Sequence, residues 1–127
     1  MTVMSPVDLG QRRILVVEDE FLLSLDIVDE IEDHNGIVLG PVVTLGQGLV
    51  AFRELKPDAC ILNIRLGPEM VYELADELVR SGVPFIFASS ERRDSLPDRF
   101  ACVPLFAKPF RMVEAAAGLM GTSAQLG

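Results

Sequence analysis

Ile14-Leu15-Val16-Val17 is a wholly apolar run, and it stops at Glu18-Asp19-Glu20. A strand with one wet face alternates apolar with polar residues, so a run without alternation fits a strand buried on both faces of a parallel sheet. Parallel neighbours cannot be joined by a tight turn; they need a crossover, usually a helix. The run therefore requires helical segments between further runs of its own kind.

The rest of the chain supplies them. Phe21 to His34 has helical periodicity, with Leu22, Leu25, Val28 and Ile31 on one side and Ser24, Asp26, Asp29, Glu30 and Asp33 on the other. Asn35-Gly36 ends it. Ile37 to Val43 is a second strand, assigned to a sheet edge because Gly40-Pro41 interrupts it. Leu45, Leu49, Phe52 and Leu55 mark a second helix before Lys56-Pro57. Asp58 to Ile64 is a third strand, and a third helix carries Val71, Leu74, Ala75 and Leu78 as far as Gly82. Pro84 to Ser89 is a fourth strand. Glu91 to Phe100, rich in charge and holding Pro97, predicts a short or mobile helix. Val103 to Ala107 is a fifth strand, and Phe110, Val113, Ala117 and Met120 mark the last helix. Five strands alternating with five helices predict a doubly wound α/β sandwich with right-handed crossovers.

Composition narrows the function. With 11 basic and 19 acidic residues among 127, the net charge is −8. That balance opposes the phosphate contacts that dominate nucleic-acid affinity, while leaving room for a protein partner with a basic patch. No apolar run approaches the roughly 20 residues of a membrane span. The first ten residues hold no Lys or Arg and no apolar block, so a secretory signal is not expected and a cytoplasmic setting is. Cys60 and Cys102 lack CxxC spacing and are predicted as buried, reduced thiols.

In open α/β sheets ligands bind beyond the carboxyl ends of the strands. The first strand ends in Glu18-Asp19, the third in Asn63, the fourth in Ser89-Ser90 and the fifth in Lys108-Pro109. Carboxylate and amide oxygens suit Mg²⁺, and a lysine with a hydroxyl suits phosphoryl oxygens. Each signal alone has an ordinary explanation: a solvated turn, a helix cap, or a proline opening a helix. Their joint placement after four strands is the specific feature.

That constellation resembles the receiver domains of two-component response regulators, over roughly residues 11 to 121, with 1–10 and 122–127 as tails. PFIFASS with VPLFAKPF is similar to single-domain receivers carrying a Phe-Ala-Thr-Gly type fourth strand. The resemblance implies a flavodoxin-like sheet of order 2-1-3-4-5 and no enzymatic activity of its own. It also implies Mg²⁺ held by Glu18, Asp19, residue 63 and the Arg65 backbone carbonyl, bound weakly with Asn63. Ser89 and Lys108 match the phosphoryl-contacting pair. Asn63 falls on the phosphoacceptor position, where the family carries Asp. Ser stands for the Thr and for the Gly, and Leu105 stands where many receivers place a switching aromatic.

A carboxamide is a very poor nucleophile toward phosphorus, so Asn63 is not expected to form the acyl phosphate. Asn63 is then either a natural feature of an atypical receiver or a replacement in a phosphorylatable parent; in both cases it can still accept a hydrogen bond from Lys108. The implied role is a phosphorelay signalling module without an output domain, acting by protein contacts. Its implied partners are a histidine kinase or histidine phosphotransferase, and a downstream protein or second copy docking on the fourth helix, fifth strand and fifth helix. Two other functions fit the same fold. A phosphatase would need an Asp nucleophile, and the lone His34 sits at a helix end. A flavin or nucleotide carrier would need a glycine-rich phosphate cradle after the first strand, and none follows it.

Overall fold

A computed structural model of the chain describes residues 7–121. In it β1 (Arg13–Val17) lies between β2 (Ile37–Val42) and β3 (Ala59–Leu62), parallel to both. β3 continues to β6 (Phe85–Ala88), and β7 (Leu105–Phe106) completes the sheet. The order is β2-β1-β3-β6-β7, which is the expected 2-1-3-4-5. The labels shift because a small antiparallel hairpin, β4 (Arg65–Leu66) with β5 (Glu69–Met70), follows β3. Strands of two residues are too short to leave a periodic signal in sequence.

Alternation along the strands divides the core in two. Leu15, Val17, Leu62 and Phe87 pack with Leu49, Leu74 and Leu78 of α2 (Leu45–Leu55) and α3 (Tyr72–Ser81). Ile14, Val16, Ile61 and Ile86 pack with Ile27, Ile31, Ala115 and Leu119 of α1 (Phe21–Asp33) and α4 (Met112–Met120). Burying each such side chain contributes about 1.5–3 kcal/mol, so every strand ties both helical layers to one sheet. The end of α1 shows how local sequence sets this up. Asn35 takes a left-handed φ of 65°, its N–H bonds the Glu32 carbonyl at 3.2 Å, and the Gly36 N–H bonds Ile31 at 2.9 Å. This closure satisfies the last carbonyls of the helix. A Cβ on Gly36 would lie 2.6 Å from Ile31 Cγ2 and 2.8 Å from Leu9 Cδ1. Leu9, within the stretch read as a tail, is fully buried there. Residues 1–6 and 122–127 lie outside the described residues.

Two helices present a different face from the one their strongest apolar pattern suggests. α1 buries Ser24, Ile27 and Ile31, while Phe21, Leu22 and Leu25 are 71%, 75% and 44% exposed. Ser24 tolerates burial because its hydroxyl donates to the Phe21 carbonyl at 2.6 Å. α4 buries Met112, Ala115, Ala116, Gly118 and Leu119 and leaves Val113 and Ala117 outside. Small residues win that face by allowing close approach: a Cβ on Gly118 would lie 2.7 Å from Ile86 Cγ2.

Between β6 and β7 no α-helix forms, so the helix expected over Glu91–Phe100 is corrected to two 3-10 turns, Arg93–Ser95 and Asp98–Phe100. Pro97 removes a helical donor. Arg93 wraps the segment instead, its guanidinium donating to the carbonyls of Phe100, Ala101 and Val103 at 3.4, 3.0 and 2.6 Å. No α-helix therefore stands between β6 and β7, where the fourth helix of the expected docking surface would lie.

Cys60 is buried as expected, but Cys102 is exposed in the connection before β7. Burial pushes the Cys60 thiol well above its ordinary pKa, and only thiolate reacts readily. A maleimide is therefore expected to modify Cys102 in the folded protein and Cys60 only after unfolding. Peptide mapping of the labelled chain decides it, and native labelling of Cys60 at the rate of Cys102 would contradict the packing. Among the described residues no helix is long and apolar enough to cross a membrane.

Candidate functional site

The polar residues at the strand ends sit one step past the buried strands, and the ladder still holds their backbones. The Glu18 N–H donates to Val42 at 2.9 Å, Asn63 to Val17 at 2.9 Å, and Ser89 to Phe106 at 3.0 Å. Their side chains therefore leave from fixed points along one rim. Glu18, Asn63 and Ser89 are 1%, 6% and 2% exposed, and buried polar groups must find partners. Among the described residues no buried side-chain nitrogen or oxygen lacks one.

Asn63 is the hub. Its Nδ2 donates to Glu18 Oε2 at 3.0 Å, to Asp19 Oδ1 at 3.1 Å and to the Arg65 carbonyl at 2.9 Å. The reversed amide would set its oxygen against those same three acceptors, so the nitrogen faces inward. Asp19 also accepts the Gly67 N–H at 2.9 Å, which ties the β4–β5 hairpin to the rim.

Lys108 is the counter-charge. Its Nζ lies 2.9 Å from Glu18 Oε1 and 3.1 Å from Glu20 Oε1, with the lysine side chain 6% exposed. The expected bond from Lys108 to Asn63 is absent from this network; the lysine turns to the buried carboxylate, where an unpaired charge would cost most. Burial raises the Glu18 carboxyl above its ordinary value, and the hydrogen bond from Lys108 opposes the rise. Ser89 Oγ accepts the Glu91 N–H at 3.2 Å. An open cleft of about 200 Å³ lies between Asp19, Glu20, Asn63 and Ser89, and Arg65 and Glu91 on its wall form an ion pair at 3.5 Å.

Glu18, Asp19 and Glu20 bring carboxylate oxygens within 4.8 Å of one another. A hard cation requires oxygen from every ligand. Glu18, Asp19 and the Arg65 carbonyl offer it, but Asn63 turns N–H donors into the space they share. As arranged, Asn63 offers Mg²⁺ no oxygen in that space.

No family model matches the chain, and no curated protein does. Solved structures do. SdrG from Sphingomonas melonis Fr1 is 33% identical, with a TM-score of 0.75, the match covering 93% of this chain and 98% of SdrG. The chain belongs to the response-regulator receiver family. PhyR from Brucella abortus, described as a response regulator, is 26% identical with a TM-score of 0.70, over 91% of this receiver and 50% of PhyR. The signal receiver domain of a putative LuxO repressor protein from Vibrio parahaemolyticus shares the fold at 19% identity and a TM-score of 0.73, over 91% and 94% of the two chains.

The receiver's rim thus gathers Glu18, Asp19, Asn63, Ser89, Lys108 and the Arg65 carbonyl at one end of the sheet. Two contributors escaped sequence reasoning. Glu20 shares Lys108, a role visible only once the end of β1 faces the end of β7. The Gly67 amide is a backbone group, which residue types cannot flag. His34 caps α1 through the Glu30 carbonyl, Nδ1 at 2.8 Å, at the opposite end of that helix from the rim.

Proposed function

We propose that this receiver signals through protein contacts and takes no phosphoryl group at position 63. The observation that carries this reading is a carboxamide at the centre of an otherwise complete receiver rim. Acyl-phosphate formation needs a carboxylate oxygen to attack phosphorus, and the amide nitrogen of Asn63, its lone pair delocalised into the carbonyl, is a very poor nucleophile. Position 63 is the acceptor position by its place after β3, as the family resemblance implies.

The contact surface is supported by α1. Phe21, Leu22 and Leu25 project from the first turns of that helix, next to the rim, and stay 71%, 75% and 44% exposed. A large exposed apolar cluster beside a polar rim suits a protein interface, and the partner class that fits is a histidine kinase or histidine phosphotransferase. A structural relative, SdrG, has been solved in a BeF3-activated conformation; in the present chain such activation would require Asp at position 63.

Incubation with acetyl phosphate and Mg²⁺, followed by intact mass measurement, tests the proposal. The chain as given is expected to keep its mass, while Asn63→Asp gains one phosphoryl group. A phosphoryl adduct at position 63 of the unaltered chain would overturn it.

A further inference from the structure

We infer that the Asn63 amide group stands in for the divalent cation of the receiver rim, so that this site is complete without metal. The inference rests on the receiver reading above. Three oxygens, Glu18 Oε2 and Asp19 Oδ1 from the end of β1 and the Arg65 carbonyl from the start of β4, converge on a single point. What occupies that point is Asn63 Nδ2, at 3.0, 3.1 and 2.9 Å. An amide nitrogen carries two hydrogens, so one is shared between two acceptors. The amide spreads partial positive charge over the oxygens that a cation would otherwise draw together.

The other carboxylate oxygens of Glu18 and Asp19 have donors of their own. Glu18 Oε1 takes Lys108 at 2.9 Å, Glu18 Oε2 takes the Glu20 N–H at 3.1 Å, and Asp19 Oδ2 takes the Gly67 N–H at 2.9 Å. A cation entering here must expel the amide nitrogen, break three contacts and turn the side chain over to gain one oxygen ligand. The charge count points the same way. Of Glu18, Asp19 and Glu20, Lys108 pairs with the first and the last, and an Asp at 63 would add a fourth carboxylate to a rim where like charges disfavour one another.

The consequence reaches the β4–β5 hairpin. Its first residue, Arg65, gives its carbonyl to Asn63, and its turn residue, Gly67, gives its N–H to Asp19. The amide therefore fixes the hairpin against the rim with no ion present.

The test compares the unaltered chain, Asn63→Asp and Asn63→Ala, each in chelator and in millimolar-range Mg²⁺, by thermal melting and by hydrogen exchange at the Gly67 amide. For the unaltered chain, Mg²⁺ is expected to move neither the melt nor the exchange. Both variants melt lower in chelator and exchange Gly67 faster, since one loses the donor to a charge and the other loses it outright. Asn63→Asp alone recovers on adding Mg²⁺, since the cation stabilises only the form that binds it. The inference is overturned if Mg²⁺ stabilises the unaltered chain as much as Asn63→Asp, or if Asn63→Ala matches the unaltered chain in chelator. Should either variant fail to fold, calorimetric titration of the unaltered chain decides alone, because Mg²⁺ binding at this rim contradicts the inference directly. None of these outcomes depends on phosphorylation, so the mass experiment and this one fail separately.

Discussion

Lys108→Met is expected to lower stability at neutral pH by about 3–5 kcal/mol, the scale of leaving a buried charge without its partner. Methionine keeps a similar stem, so the change isolates the ammonium. Glu18 would still accept from Asn63 and from the Glu20 N–H, but its carboxylate, 1% exposed, would have no cation. Burial already raises the Glu18 carboxyl, and Lys108 is the first influence holding it down; removing the lysine raises it further. A carboxyl whose folded pKa exceeds its unfolded one binds the proton more tightly when folded. The stability it lends is fully present below the ordinary carboxylate range and is lost as pH rises through the folded value. The deficit of Lys108→Met is therefore largest at neutral pH and shrinks on acidification toward the folded pKa of Glu18. Melts of both proteins across that range check the sign. Equal melts at neutral pH, or a deficit that grows as pH falls, would show that Lys108 is not the counter-charge described.

Phe100→Ala is expected to cost a comparable amount, about 3–5 kcal/mol by the usual penalty for emptying a large aromatic site. Phe100 is 1% exposed. Its ring stacks on Tyr72 with centroids 5.5 Å apart and meets Phe87 edge-on at 5.7 Å. No α-helical ladder holds the stretch between β6 and β7, so this ring anchors it together with buried Leu96, the Arg99–Asp76 ion pair and the Arg93 contacts. Phe100→Leu refills most of the volume and should lose under about 1.5 kcal/mol. Urea denaturation distinguishes them: a loss below about 1 kcal/mol for the alanine variant, or equal losses for both, would mean that the segment is secured elsewhere.

The sheet was legible because its information is local and redundant. ILVV, ACIL and FIFA are buried throughout, and a run without alternation has few other uses. Leu74, Ala75 and Leu78 of the third helix, and Val71 at its N-cap, are all buried as their spacing implies. The helix faces were less legible, since hydrophobicity does not reveal which stripe approaches closest. In α4 glycine and alanine took the contact through their small size, while Val113 was left 49% exposed. The stretch over Glu91–Phe100 carried helical composition, but its geometry came from Arg93 reaching carbonyls up to ten residues ahead, a pairing no local pattern encodes. At the rim, residue types and strand ends pointed to Glu18, Asp19, Asn63, Ser89 and Lys108 but not to Glu20 or the Gly67 amide. They could not give the direction of the Asn63 amide, which follows from three oxygens meeting in space.

The sheet's two edges bear on how copies of this protein behave in crowded solution. β2 is interrupted by Pro41, which has no N–H to donate, and its pairing with β1 slips between Leu15 and Val17. At the other side β7 is only two residues long. Neither margin presents the long row of free donors and acceptors on which a foreign strand could template itself. Growth of the sheet from chain to chain is disfavoured at both ends, which favours association through side chains on helices and loops. Recognition of that kind depends on residue identity, and a partner can be gained or lost by single substitutions that leave the sheet untouched.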